Sequence, residues 1–340
     1  VVREELYIAK SGYKPSVNLN STYGSESINA PTTNNEDKSY TRSEIDLTIS
    51  QNLFRGFGDK YEIARQTARL SSAGYSILEK ANAIALEMAE AYLNVERNKK
   101  LLAVALQNSD SHDRVYSQIK ERTDSGLGSR SEFEQAGSRL ALAHSNYMTQ
   151  LNAYEDSLTN FEKVYGALPD MEDFEESALS VTVPESYDDA KELVETNNPT
   201  LLLHGYNFKA AQDNYAATKQ NYLPVIDLEV KKGISENVSG IEGKNENLSG
   251  IVRLTYNFYN GGADQANRQK GISLMHQESD LRASTQRNVN QTLRLSWKKL
   301  EILERQMKFF SQHAELSKST VDSYNEEFKL GRRNLLDLLI

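Results

Sequence analysis

The most constraining feature of this chain is a run with almost nothing in it that can break a helix. From Phe57 to Arg122 there are 66 residues with no proline and only Gly58 and Gly74 as weak points. Read as one helix at 1.5 Å per residue, the run is roughly 100 Å long, whereas globular helices average about 11–12 residues. A helix of that length needs lateral partners along its whole course. Ala64, Ala68, Ala73, Ala81, Ala83, Ala85, Ala89, Ala91, Ala103 and Ala105 allow neighbours to approach closely. Ile77, Leu78, Leu86, Tyr92, Leu93, Leu101 and Leu102 are the residues expected to fill the seams.

The run occurs twice. Gly56 and Gly261 lie 205 positions apart, and so do Gly126 and Gly331, and so do Tyr92 and Trp297. A constant offset over such a stretch means no net insertion. That suits a continuous rod, in which one extra residue rotates every following side chain by about 100°. Upstream, Tyr13-Lys14-Pro15 matches Tyr222-Leu223-Pro224 at an offset of 209, so the first copy carries four extra residues. Loops absorb insertions cheaply, and the polar stretch Ser25–Arg42 is where they are expected.

Each copy reads as a strand hairpin, a long helix, a glycine turn and a returning helix. The predicted first repeat is 1–166, with a hairpin at 15–56, a long helix at 57–122, a tip turn at 123–131 and a return helix at 131–166. The second repeat is 201–340, with a helix at 201–221, a hairpin at 224–261, a long helix at 262–329 and a tip turn at 330–335. By symmetry its return helix is truncated, since only nine residues follow Gly331. By the same symmetry the helix feeding Pro15 would begin before Val1, so the chain reads as part of a longer protein. Residues 167–200, punctuated by Pro169, Pro184 and Pro199 and rich in acids over Asp170–Glu176, read as a connector packed around the outside of the rods, with a solvated linker as the alternative. Within it, Ser186-Tyr187-Asp188-Asp189 has the spacing of a capping box.

The strands alternate. Val17, Leu19 and Tyr23 oppose Asn18, Asn20 and Thr22. Ile45, Leu47, Ile49 and Leu53 oppose Asp46, Thr48, Ser50 and Asn52. Ile226, Leu228 and Val230 oppose Asp227, Glu229 and Lys231, and Val252, Leu254, Tyr256 and Phe258 oppose Arg253, Thr255 and Asn257. Spans of about 8–11 residues fit either a soluble sheet with one face on a core or tilted membrane strands. Four strands cannot enclose a lumen, since the smallest barrels need about eight. A membrane reading therefore requires several chains to share one barrel. No apolar run reaches the roughly 18 residues of a membrane helix, and mean hydropathy is −0.62. That scan is blind to barrel strands.

Chemistry-bearing patterns are sparse. A net charge of −9 argues against a nucleic-acid partner. There is no cysteine. His112, His144, His204, His276 and His313 are scattered without metal-ligand spacing, and His112 is expected on a solvated rod face. Gly261-Gly262 lacks the spacing of a dinucleotide-binding loop. We expect no catalytic residues, no metal, no cofactor and no enzymatic activity.

The order and spacing of these pieces resemble the TolC family of outer-membrane channels over essentially the whole chain. The carriers are LFRGFGD and FYNGGADQANRQ at the strand ends, AEAYLNVERNKKLL in the rod, SGLGSRSEFEQA and LGRRNLLDLLI at the turns, and PESYDDAKELVETNNPTLL in the connector. IEGKNENLSGIVRLTYNFYNGGADQANRQK and FKLGRRNLLDLLI are most similar to the branch serving type I secretion of large adhesins. The resemblance implies a mainly α fold of long helical hairpins with four strands per chain. It implies a homotrimer whose strands form a shared twelve-stranded barrel in the outer membrane's lipid bilayer, above a periplasmic helical duct. The implied partners are a periplasmic adaptor, an inner-membrane ABC transporter and a secreted protein. A multidrug efflux duct and a pore-less periplasmic coiled-coil scaffold are the alternatives.

The resemblance also locates a candidate site. The turns at Gly126-Leu127 and Gly331-Arg332 correspond to the periplasmic tip, where the duct narrows and an adaptor docks. Arg333 and Asp337 fall on the family's basic and first acidic positions, while Ile340 replaces the second acid. Glu132 is the matching acid of the first copy. Arg130 and Arg333 are expected to bridge these acids.

Overall fold

The structure is a computed structural model that describes residues 1–170, 182–330 and 332–338. Its elements in order are α1 (Val2–Ser11), β1 (Ser16–Ile28), β2 (Lys38–Arg55), α2 (Gly58–Asp124), α3 (Arg130–Tyr165), α4 (Tyr187–Asn197), α5 (Pro199–Ala217), β3 (Val225–Val238), β4 (Ile241–Thr255) and α6 (Ala263–Lys329). Short 3-10 turns occupy Pro31–Thr33, Thr218–Tyr222 and Leu335–Leu338. Both long runs are single helices of 67 residues. The described residues divide into two units, 1–78 with 192–290 and 79–191 with 291–340.

In the first unit the strands form one antiparallel sheet in the order β1-β2-β3-β4. Thr48 pairs with Lys231 and Asn52 with Asp227, so the polar residues of neighbouring strands share one face. That face is cross-linked by Lys231–Asp46 at 2.8 Å, Arg42–Glu44 at 2.6 Å and the Asn52 amide donating to Asp227 at 2.7 Å. On the other face Leu19 opposes Leu47, Ile49 opposes Val230 and Leu228 opposes Val252. Lys232 interrupts this apolar face and pairs with Glu246 at 3.1 Å.

Three details differ from the alternation expected above. The strands are 13, 18, 14 and 15 residues long, because pairing continues past the apolar stretch into polar sequence. A bulge between Asn52 and Phe54 sets Phe54, rather than Leu53, opposite Ile226, because an extra residue in one strand shifts the alternation by one. β4 ends at Thr255, so Tyr256 and Phe258 lie beyond the sheet, ring against ring at 4.8 Å. The longer first hairpin holds its extra residues in the turn between Ile28 and Lys38, whereas only two residues separate β3 from β4.

Beside the sheet, α5 packs on α2 through stacked Tyr75 and Tyr206 rings 5.6 Å apart and a Ser72–Asn207 hydrogen bond of 2.6 Å. Asn198 starts α5 by accepting from the backbone of Thr200 and Leu201, with Pro199 already held at a helical φ. Gly56, at φ +55, meets this layer so closely that a Cβ there would sit 2.7 Å from Gln220 Cα.

In the second unit α3 lies against α2. Ala91, Val95 and Phe161 are buried together, Gln150 donates to Asn98 at 3.3 Å and Lys163 reaches Glu87 at 3.8 Å. Met88, Tyr92, Tyr154 and Leu158 pack against this cluster, while Ile77, Leu78, Leu86, Leu93 and Leu101 are 44–70% exposed. Of the larger apolar residues expected in the seams, Tyr92 packs on this cluster and Leu102 is half-buried, while these five form a face left uncovered among the described residues. Of the connector, 171–181 lie outside the described residues, including most of its acidic stretch. The described part turns Tyr187 edge-on to Trp297 at 6.3 Å. Ser186 caps α4 by accepting from Asp189 N at 3.1 Å, while its hydroxyl donates to the Asp189 carboxylate at 2.7 Å. The reciprocal bond of a full capping box is replaced by this side-chain pair, because Asp is one carbon shorter than Glu.

Candidate functional site at the helix turns

Both turns belong to the second unit, and their backbones repeat at the sequence offset of 205. At the end of α2, Ser125 N bonds Glu121 O at 3.1 Å and Leu127 N bonds Arg122 O at 2.8 Å. At the end of α6, Leu330 N bonds Glu326 O at 3.2 Å and Arg332 N bonds Glu327 O at 2.9 Å. Gly126 N bonds Thr123 O at 3.0 Å, completing a Schellman cap, and Gly126 takes the left-handed conformation with φ +75. Gly331 lies outside the described residues. Leu127 is 77% exposed, and Arg332 is also exposed.

The chain then re-enters helix in equivalent ways. Ser129 Oγ accepts from Ser131 N at 3.2 Å, and Asn334 Oδ1 accepts from Leu336 N at 3.3 Å. Helix α3 grows from the first cap, and a 3-10 turn over Leu335–Leu338 follows the second. Leu335 and Leu336 are buried against Ile119 and Ala136, and Arg139 donates to Leu336 O at 2.8 Å. The two turns are therefore anchored to each other through the α2–α3 pair.

The charged residues sort themselves differently from the expected bridges. Arg130 pairs with Glu134 at 3.0 Å, one turn along its own helix, rather than with Glu132. Spacing explains this, since residues i and i+4 share a helix face and i and i+2 do not. Glu132 instead accepts a hydrogen bond from Asn334 Nδ2 across the turns. Arg333 approaches Asp337 only to 3.8 Å. Its tight partner is Glu327, whose carboxylate lies 2.7 Å from Nε. The guanidinium also lies over the Tyr324 ring, 3.5 Å from the centroid. The hydrogen bond to Glu327, more than any other contact, raises the Arg333 pKa further. Asp337 is half-exposed beside this cluster.

Sequence reasoning missed Asn334, Glu327, Tyr324 and Arg139. Asn334 could have been found, because it stands 205 positions after the capping Ser129. Glu327 and Tyr324 carry no such signal, since their relation to Arg333 depends on the path of the turn.

Farther along the α2–α3 seam, His112 is half-buried rather than solvated, and its Nδ1 is buried without a hydrogen-bond partner. Burial pushes its pKa down, Arg139 on α3 adds to the shift, and Asp113 opposes it. His144 on α3 accepts or donates at Ser109 Oγ at 3.0 Å and lies 3.8 Å from Asp113. Among the described residues no group of three or more His, Cys, Asp or Glu could hold a metal ion. No described helix is long and apolar enough to cross a membrane.

A family model described as outer membrane efflux protein matches residues 2–167 and 192–339. The outer membrane efflux protein BepC of Brucella suis biovar 1 (strain 1330) is 23% identical over 341 residues, covering 99% of this chain and 72% of the relative. The outer membrane protein VceC of Vibrio cholerae superposes with a TM-score of 0.85 at 11% identity, over 99% of this chain and 82% of its own. The open-state MtrE outer membrane channel of Neisseria gonorrhoeae gives a TM-score of 0.77 at 15% identity, over 99% and 76%. These structural likenesses carry the fold.

Proposed function

The chain belongs to the outer membrane efflux protein family, of outer-membrane efflux and secretion channels, and we propose that it is one protomer of a trimeric type I secretion duct. Twelve strands from three chains would close the barrel that four cannot. The duct would receive an unfolded protein from an ABC transporter through a periplasmic adaptor, and it would perform no catalysis. The mouth would lie at the paired turns, with Asp337 and Glu132 each forming a ring of three.

The observation that carries the channel reading is the sheet's bare apolar face. Val17, Leu19, Tyr23, Leu47, Val252 and Leu254 are 42–79% exposed. A soluble sheet buries such a face on a core, and a lipid-facing sheet leaves it for the bilayer. That contrast also disfavours a pore-less scaffold. Secretion is preferred over drug efflux because Ile340 leaves one acid, Asp337, where the family pattern has two. The similarity to the Brucella outer membrane efflux protein favours efflux as the second reading.

Deleting the gene in its host tests both. Loss of a large surface protein with unchanged drug susceptibility is the expected result. Drug hypersensitivity with the surface protein still exported would overturn secretion in favour of efflux. In planar bilayers the purified assembly should conduct, and a trimer without conductance would sink the duct itself.

A further inference from the structure

Arg333 has two carboxylates within reach and is held by the more distant one in sequence. Glu327 takes Nε at 2.7 Å, while Asp337 stands 3.8 Å from Nη1. The Tyr324 ring, 3.5 Å from the guanidinium, occupies its flat face. Glu327 and Tyr324 both project from the last turns of α6, which ends at Lys329, whereas Asp337 sits beyond the turn. The cation is thus held tightly to the rod and more loosely to the segment that carries Asp337. One guanidinium between two carboxylates leaves one negative charge uncompensated in each chain. Like charges brought together by threefold symmetry attract cations and repel anions.

We propose that Glu327 and Tyr324 are positioning residues that hold Arg333 back from Asp337, so that the mouth keeps its negative charge and prefers cations. This deepens the duct reading above and rests on Asp337 lining the mouth. It assigns the selectivity of that mouth to two residues that never touch the passing ion. A planar guanidinium that loses either its stacking ring or its tight carboxylate partner is free to reach the next carboxylate, 3.8 Å away. Tighter pairing there would shift the compensating charge from Glu327 on the rod to the ring of Asp337.

The test is the reversal potential of the full-length detergent-purified assembly in planar bilayers under a KCl gradient. Asp337→Asn should move it toward zero. Tyr324→Leu alters no charge, yet should move it the same way, and Tyr324→Phe, which keeps the ring, should not. Glu327→Gln should also lower cation preference, and this effect should vanish when Arg333→Gln is already present. A simple loss of charge at Glu327 would persist in that background and would overturn the inference. So would an Asp337→Asn effect without any Tyr324→Leu or Glu327→Gln effect, which would leave the mouth reading standing. No shift for Asp337→Asn would instead remove the mouth reading and the inference with it. If Tyr324→Leu does not assemble, the Glu327 and Arg333 pair decides alone, since both side chains are partly exposed.

Discussion

Glycines of one backbone sign play two different parts in this chain, and substitution separates them. Gly126 has φ +75 and open space where a Cβ would go, so alanine there meets only backbone strain. We expect Gly126→Ala to cost about 1 kcal/mol. Gly56 has φ +55 and the Gln220 backbone 2.7 Å from that Cβ. Gly56→Ala adds overpacking to strain and should cost on the order of 2–4 kcal/mol. Thermal melting of the two purified variants should rank them in that order, and equal Tm values would contradict it. Asn334 offers a third case, since it both caps the segment after α6 and donates to Glu132. Asn334→Ala should lower stability by about 1 kcal/mol, and Glu132→Ala should lose less in the Asn334→Ala background than alone. At this scale the sequence was readable wherever the duplication supplied a second copy. The left-handed turn at Gly126 and the matching acids Glu132 and Asp337 are of that kind. The Glu327–Arg333–Tyr324 cluster has no counterpart in the first copy, where position 128 is a glycine instead of an arginine.

Among the elements, helix existence followed from composition, and helix packing did not. Long runs free of proline specify where α2 and α6 are, but which stripe is covered depends on what else is nearby. Ala91 and Val95 lie under Phe161, while Leu93 and Leu101 remain exposed. Period and propensity do not distinguish a stripe facing the same chain from one facing another. The sheet shows the same limit, since the bulge at Leu53 and the strand extensions into polar sequence depend on partner strands. The α2–α3 seam carries a pH dependence that follows from His112. Its pKa is lowered in the fold, chiefly by burial and then by Arg139. The folded state therefore binds fewer protons than the unfolded chain as pH falls through His112's unfolded value of about 6.5. Stability is full above that value and declines below it, toward the lowered folded pKa. Asp113, on the same helix, softens the effect and Arg139, facing from α3, sharpens it. Melting temperature should fall between about pH 7.5 and about pH 5.5. His112→Asn should show a smaller fall, and an identical fall in both proteins would rule the residue out as a cause.

For the molecule as a whole, the two faces of the sheet make opposite demands, and a single charge placed on each tells them apart. Leu254 is 64% exposed on the apolar face, beside Ile226 on the neighbouring strand. Asn20 lies on the opposite face, across from Asp46, and is exposed too. If both faces met water, as they do in the single chain, both positions would accept lysine with little penalty. In a shared barrel the two part company. Lysine facing lipid costs up to about 2–4 kcal/mol, most at the midplane and less toward either edge, whereas a lumen position stays in water and near a carboxylate. Leu254→Lys should therefore reduce the amount of protein recovered in the outer membrane, while Asn20→Lys should insert normally and change only ion selectivity. The polar face already holds Lys231 against Asp46, so an added cation finds a compatible surface there. Equal recovery of the two variants would mean that the apolar face meets something other than lipid. That result would overturn the membrane reading, which the alternation of the strands alone could not separate from a soluble one.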